Sequence, residues 1–279
     1  MGTSSSFGGI GKGKPTSPSW TGNGGNDGTD NNPDMPDPHD GKPSEPQRPD
    51  RETTAQPLTN LRSSRINFGK YASQNRDSHY LRKGVSSYVR HGLGGAKNAS
   101  SRMATTRKTA TSLYNVVQNF VRLGRDEAIT LFQLTDLRDQ GLQNVFTALA
   151  DFVCTPGSGL DEAVTRQAYL KTVEQFPTLG IDDQGEMTAA MAEAIVQTFI
   201  TESIFCRIIV DVGENIRKYA ELSSIEQIEQ DIHDYIQGAI RQRLQERLSG
   251  MDALAQDEVE RHIQEVYEDA FEILSGEGE

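Results

Sequence analysis

The stretch SSIEQIEQDIHDYIQGAIRQRLQERLSG (residues 223–250) decides the fold class. Ile225, Ile228, Ile232, Tyr235, Ile236, Ala239 and Leu244 recur at steps of three and four, the repeat that stacks side chains on one face of an α-helix. Ser223 with Glu226, or Ser224 with Gln227, has the spacing of a capping box at its start. Ser249-Gly250 supplies the stop. A strand would alternate with period two, and no convincing alternation of that kind occurs anywhere in the chain.

The same pattern extends in both directions. Downstream, Asp252 is placed to cap a last helix whose buried stripe is Leu254, Val259, Ile263, Val266, Ala270 and Leu274. Upstream, Gly185 to about Val212 reads as a helix carrying Met187, Met191, Ile195 and Phe199, with a break near Phe205. Leu160 to Phe176 reads as another, closed by Pro177. Thr135 begins one with Leu142, Val145, Phe146, Leu149 and Phe152 inward, ended by Pro156-Gly157. Ser100 or Ser101 can cap a helix running through Met103, Leu113, Val117 and Phe120 to Gly124. Ser78 to His91 puts Leu81, Val85, Tyr88 and Val89 at helical spacing, with Gly92 as its stop. The expectation is an all-α body of seven to nine helices.

Charge divides this body. Residues 61–125 carry 13 Lys and Arg against one acidic residue, whereas residues 126–279 carry 10 against 31. The net charge of −12 therefore conceals a basic helical segment and an acidic one, expected to form one body. Two readings of the basic segment stand side by side. Its helices complement the acidic remainder, or Arg82, Lys83, Arg90, Arg102, Arg107 and Lys108 contact the phosphates of nucleic acid or of a nucleotide ligand.

Chemistry-bearing motifs are missing from this body. There is no His-Glu-x-x-His, no Gly-x-x-x-x-Gly-Lys-Ser/Thr and no Gly-x-Ser-x-Gly. The five histidines are scattered, and a metal reading would need Asp231, His233 and Asp234 to meet Glu258, His262 and Glu265. Solvated helix faces account for both groups more simply. Cys154 and Cys206 lie far apart without a spacing motif and read as buried thiols in a reducing compartment. The most apolar run, Ile195 to Val212, is interrupted by Glu202, Arg207 and Asp211 and is not a membrane span. No secretory leader is recognisable. The expectation is a non-enzymatic, cytoplasmic protein with no metal and no cofactor.

Residues 21–60 are dominated by Gly, Asn, Asp and Pro, with Met35, Ala55 and Leu58 as the apolar exceptions. Such a composition predicts a disordered spacer, because it cannot bury enough surface to offset its ordering entropy. Ahead of it, residues 1–20 read as a presented peptide: MGTSSSFGGIGKGKPTSPSW. Loss of Met1 would leave the α-amine of Gly2, whose ordinary pKa near 8 keeps a good fraction neutral and nucleophilic near neutrality. Gly2 also has no Cβ, so a narrow cleft can approach it closely. Met1 to Ser6 satisfies the myristoylation pattern as well, with only Lys12 and Lys14 nearby as a second membrane signal.

Met-Gly-Thr-Ser-Ser-Ser with its glycines and Pro18-Ser19-Trp20, followed by Tyr88-Val-Arg-His-Gly-Leu-Gly-Gly-Ala96 and Ser101-Arg-Met103, resembles the QatB family of the bacterial Qat anti-phage system. The resemblance implies an accessory component working beside an ATPase, a TatD-like nuclease and a relative of the 7-cyano-7-deazaguanine synthases. An enzyme of that last type activates a carboxylate with ATP and delivers it to an amine. On this reading Gly2 is the acceptor of a deazapurine. Thr3, Ser4, Ser5, Ser6, Gly8, Gly9 and Trp20 form the tail the enzyme reads, and the helical body docks the modified tail or the ATPase.

Overall fold

A computed structural model of the chain describes residues 60–181, 185–251 and 254–276. The chain divides into two units, Met1–Glu52 and Thr53–Glu279, and the described residues all belong to the second. The tail residues Gly2, Thr3, Ser4, Ser5, Ser6, Gly8, Gly9 and Trp20 lie outside them, as do residues 21–59 of the spacer and Asp252.

The described residues contain α-helices and no strands. In order they are α1 (Arg62–Ser73), α2 (Ser78–Ser87), α3 (Ala96–Arg102), α4 (Ala104–Leu123), α5 (Arg125–Leu131), α6 (Leu142–Ala148), α7 (Ala150–Val153), α8 (Leu160–Glu174), α9 (Ala189–Tyr219), α10 (Ile225–Leu248) and α11 (Gln256–Ser275). Eleven helices stand among the described residues where seven to nine were expected: turns at Met103 and Leu149 divide two stretches that read as continuous, and α1 and α5 add to the helices read from the sequence.

The centre of the fold is α9. Its 31 residues rise through about 46 Å at 1.5 Å each. From Ile195 to Val212 most of its residues are buried, as in a helix covered over most of its circumference. Helices α1, α4, α8 and α10 pack against it. Thr188 caps it, its hydroxyl accepting from Met191 N at 3.2 Å, and it runs unbroken through Phe205. The expected break is absent because no proline or unsatisfied backbone group interrupts the helix there.

Against α9 lies α10, whose buried residues Ile228, Ile232, Ile236, Ile240, Leu244 and Leu248 form one i,i+4 ridge. The capping box does not form: Ser224 has helical backbone angles, ends a 3₁₀ turn Leu222–Ser224, and makes no side-chain cap bond. Helix α11 then packs on α10 and on the basic helices α2, α3 and α4. It starts at Gln256, where the Glu258 carboxylate accepts from Ala255 N at 3.1 Å.

The segment Tyr88 to Leu93 is also reshaped. From Tyr88 the ladder of α2 widens into one π-helical turn, Tyr88–Leu93, which ends at Gly94 in the left-handed region (φ +83°). The stop therefore falls two residues after Gly92. Gly92 serves a close approach instead: a Cβ there would stand 2.7 Å from Leu61 Cδ2. Ser100 and Ser101 are likewise not caps. They sit inside α3, where Ser100 Oγ donates to Gln264 O at 3.3 Å and Ser101 Oγ to Lys97 O at 2.9 Å.

Candidate functional site

The basic residues named from the sequence lie on four successive elements. Arg82 and Lys83 are exposed on α2, Arg90 is exposed in the π turn, Arg102 is half-buried at the end of α3, and Lys108 is exposed on α4. Arg107 is half-buried and donates from Nη1 to Gln264 Oε1 of α11 at 2.7 Å. The basic helices thus dock on the acidic ones, chiefly through apolar faces. Further polar bonds add to the contact, among them Arg76 with Asp231 at 3.2 Å and Tyr71, which donates to the same carboxylate at 2.7 Å.

Two polar centres are built from the three charged residues that interrupt the apolar run of α9. Arg207 pairs with Asp161 of α8 and, at 3.2 Å, with Asp211 one turn further on. Tyr88 donates its hydroxyl to Asp211 at 2.6 Å, which fastens the π turn to α9. Burial first, and then the Asp211 charge, raises the Tyr88 phenol well above its ordinary pKa and keeps it a donor.

Glu202 forms the second centre. Its side chain is 3% exposed in the middle of α9. Its Oε1 accepts from Nε2 of Gln175, the residue that caps the end of α8, at 2.5 Å and from His233 Nε2 of α10 at 2.8 Å. Since a carboxylate oxygen only accepts, the proton of the second bond sits on Nε2. The His233 pKa is raised from 6.5, by the Glu202 bond above all, against the opposing effect of burial. The Phe205 ring meets the His233 imidazole edge-on, with centroids 5.2 Å apart. Glu202 Oε2 is buried and has no hydrogen-bond partner.

Glu202, Gln175, Phe205 and His233 form part of the wall of a cleft of about 500 Å³ between α8, α9 and α10. Glu174, Glu226, Glu229 and Asp234 also line it. Sequence reading missed this site. Its signal was there, a charged residue set among apolar neighbours in one helix, but was used only against a membrane span.

Neither histidine cluster assembles a metal site. His233 is committed to Glu202, and His262 Nε2 donates to Arg247 O at 2.6 Å. Among the described residues no three His, Cys, Asp or Glu side chains converge as metal ligands. Burial pushes the Cys154 thiol up to about 11 and the Cys206 thiol up to about 12, so both stay protonated near neutrality. No helix among the described residues is long and apolar enough to cross a membrane.

A family described as Qat anti-phage system associated protein QatB matches residues 94–274. That span runs from the left-handed glycine after the π turn to the end of α11 and covers more than half of the chain. No curated protein matches, and no solved structure does.

Proposed function

Since this chain belongs to the QatB family, and with it to the components of the Qat anti-phage defence system, we propose that it serves that system as a protein substrate, without catalysis of its own. The family match covers the helical body, so the role of the tail rests on the tail's own sequence. The observation that carries it is Gly2, which loss of Met1 would expose as an unhindered amine at the head of a Ser- and Gly-rich peptide. Near neutrality this amine is the best nucleophile in the segment, because lysines with ordinary pKa values near 10.4 are almost wholly protonated.

The partner is a 7-cyano-7-deazaguanine-synthase-like enzyme that activates a deazapurine carboxyl with ATP. The neutral Gly2 nitrogen attacks that carbonyl carbon and a C–N bond forms. The activated leaving group departs with its electron pair, and the amine proton passes to solvent. Thr3 to Ser6, Gly8 and Gly9 lie extended in the enzyme's groove, and Trp20 anchors the peptide beyond them. The helical body carries the conjugate to the ATPase and the TatD-like nuclease of the system.

The test is the intact mass of the protein co-expressed with its neighbouring genes, followed by fragmentation of the N-terminal peptide. A purine-sized increment on Gly2 is expected. A 14-carbon acyl increment would replace this reading with a lipidated adaptor, and an unmodified Gly2 in a system that still protects against phage would overturn it.

The exposure of Arg82, Lys83 and Lys108 favours a second reading, a phosphate-contacting surface on α2 and α4. It predicts nucleic-acid affinity that falls steeply with salt and survives substitution of Gly2.

A further inference from the structure

The cleft between α8, α9 and α10 holds an acceptor that the protein leaves unanswered. Glu202 Oε1 takes two hydrogen bonds while Oε2, equally buried, takes none. An ionised group in that position gains strongly from a donor, because bonds to charged groups exceed neutral ones and desolvation raises the cost of leaving it bare. The resident cation does not supply one. Lys171 sets its ammonium 4.8 Å from the centre of the Phe205 ring and forms no ion pair with Glu202.

The surroundings select the sign and kind of ligand. Four further carboxylates line the cleft, against Lys171 and His233 as its cationic side chains, which disfavours an anion. A hard metal ion needs several oxygen ligands converging on one point, and no such group exists among the described residues. The Phe205 face receives the Lys171 ammonium, so the cleft offers an aromatic surface suited to a cation.

From this geometry we infer that the cleft binds an organic cation bearing N–H donors, an alkylammonium or guanidinium group, with Glu202 Oε2 as its buried acceptor. Glu229 and Asp234 of α10 and Glu174 of α8 hold the remaining donors at the rim. The cation displaces Lys171 from the Phe205 face and enters from solvent, and the Glu202 carboxylate turns to meet it, because Oε2 is closed to solvent in the unliganded protein. Two sources present this chemistry, a free polyamine-like metabolite and a Lys or Arg side chain of a partner protein.

Isothermal titration calorimetry on the full chain tests the assignment. The probes are agmatine, cadaverine, a short acetylated Gly-Arg-Gly amide, and the same peptide with neutral citrulline in place of Arg. Saturable binding of the cations is expected, with none for the citrulline peptide. Glu202→Gln should weaken binding by about tenfold to a hundredfold, the loss of one charge-assisted bond. The double rim variant Glu229→Gln, Asp234→Asn leaves the buried bonds intact and should weaken binding by a few fold. Circular dichroism establishes that each variant keeps its helices. Tighter binding of agmatine or cadaverine assigns a metabolite, and tighter binding of the arginine peptide assigns a partner side chain. No saturable binding of any cation, equal binding of the citrulline peptide, or affinity unchanged by Glu202→Gln would overturn the inference.

Discussion

His233 Nε2 lies 2.8 Å from Glu202 Oε1, so the middle of α10 is tied to a carboxylate sunk in the middle of α9. The side chains are 14% and 3% exposed, which separates this pair from surface ion pairs of negligible worth. Removing one partner of such a pair costs about 3–5 kcal/mol, because the other remains charged and buried. His233→Asn keeps a polar side chain, so its cost should fall towards the lower end.

The same pair makes stability depend on pH. In the folded protein the His233 pKa is raised from 6.5, chiefly by its bond to Glu202 and further by the Glu202 and Asp234 charges, while burial opposes. A raised histidine contributes stability that is complete below the unfolded value and is lost as pH rises through the folded one. The gap between the parent protein and His233→Asn in urea midpoint should therefore be wider at about pH 6 than at an alkaline pH. An equal gap at both pH values would show that the pair does not gain a proton on folding.

Tyr88→Phe removes the hydroxyl that Asp211 accepts at 2.6 Å while leaving the ring in place. A bond to a charged acceptor contributes about 1.5–3 kcal/mol, and Asp211 retains Arg207, so the loss should be about 1–2 kcal/mol. Urea denaturation measures it. Because the bond fastens the π turn to α9, amide exchange should quicken first in Tyr88–Leu93.

These centres show where sequence reading succeeds and where it stops. The ridge of α10 was legible because Ile228, Ile232, Ile236 and Leu244 repeat within one helix, and burial follows from the repeat. Glu202 and Arg207 looked like interruptions, since their meaning lies in partners elsewhere. Gln175 is 27 residues away from Glu202 and His233 is 31, while Asp161 is 46 residues from Arg207. Local windows carry no such pairings. The π turn escaped for another reason: Tyr88 and Val89 keep helical spacing, and widening the ladder by one residue leaves no mark on composition.

Gly92→Ala probes the close approach beneath that turn. A Cβ at this position would meet Leu61 Cδ2 at 2.7 Å, and Leu61 is itself buried just before α1. Overpacking of this kind costs about 1–3 kcal/mol, with the lower end expected because a side-chain tip can shift. Adding Leu61→Ala should recover part of the loss, so the double variant falls short of the sum of the two singles. Strict additivity would place the strain elsewhere.

Phe146 and Phe152 were expected to point inward together, and the division between α6 and α7 at Leu149 separates them. Phe146 is fully buried, with Phe120 and Phe176 ring centres each 5.1 Å away. Phe152 is 63% exposed and keeps an edge contact with Phe132 at 5.1 Å. Phe146→Ala should therefore cost about 3–5 kcal/mol, through lost transfer energy and the cavity left behind. Phe152→Ala gives up exposed surface and one aromatic contact, and should cost about 1 kcal/mol or less. Paired urea titrations of the two variants decide the matter: comparable losses would mean that Phe152 is covered in solution, and a gap of several kcal/mol would confirm that the turn at Leu149 delivers it to the surface.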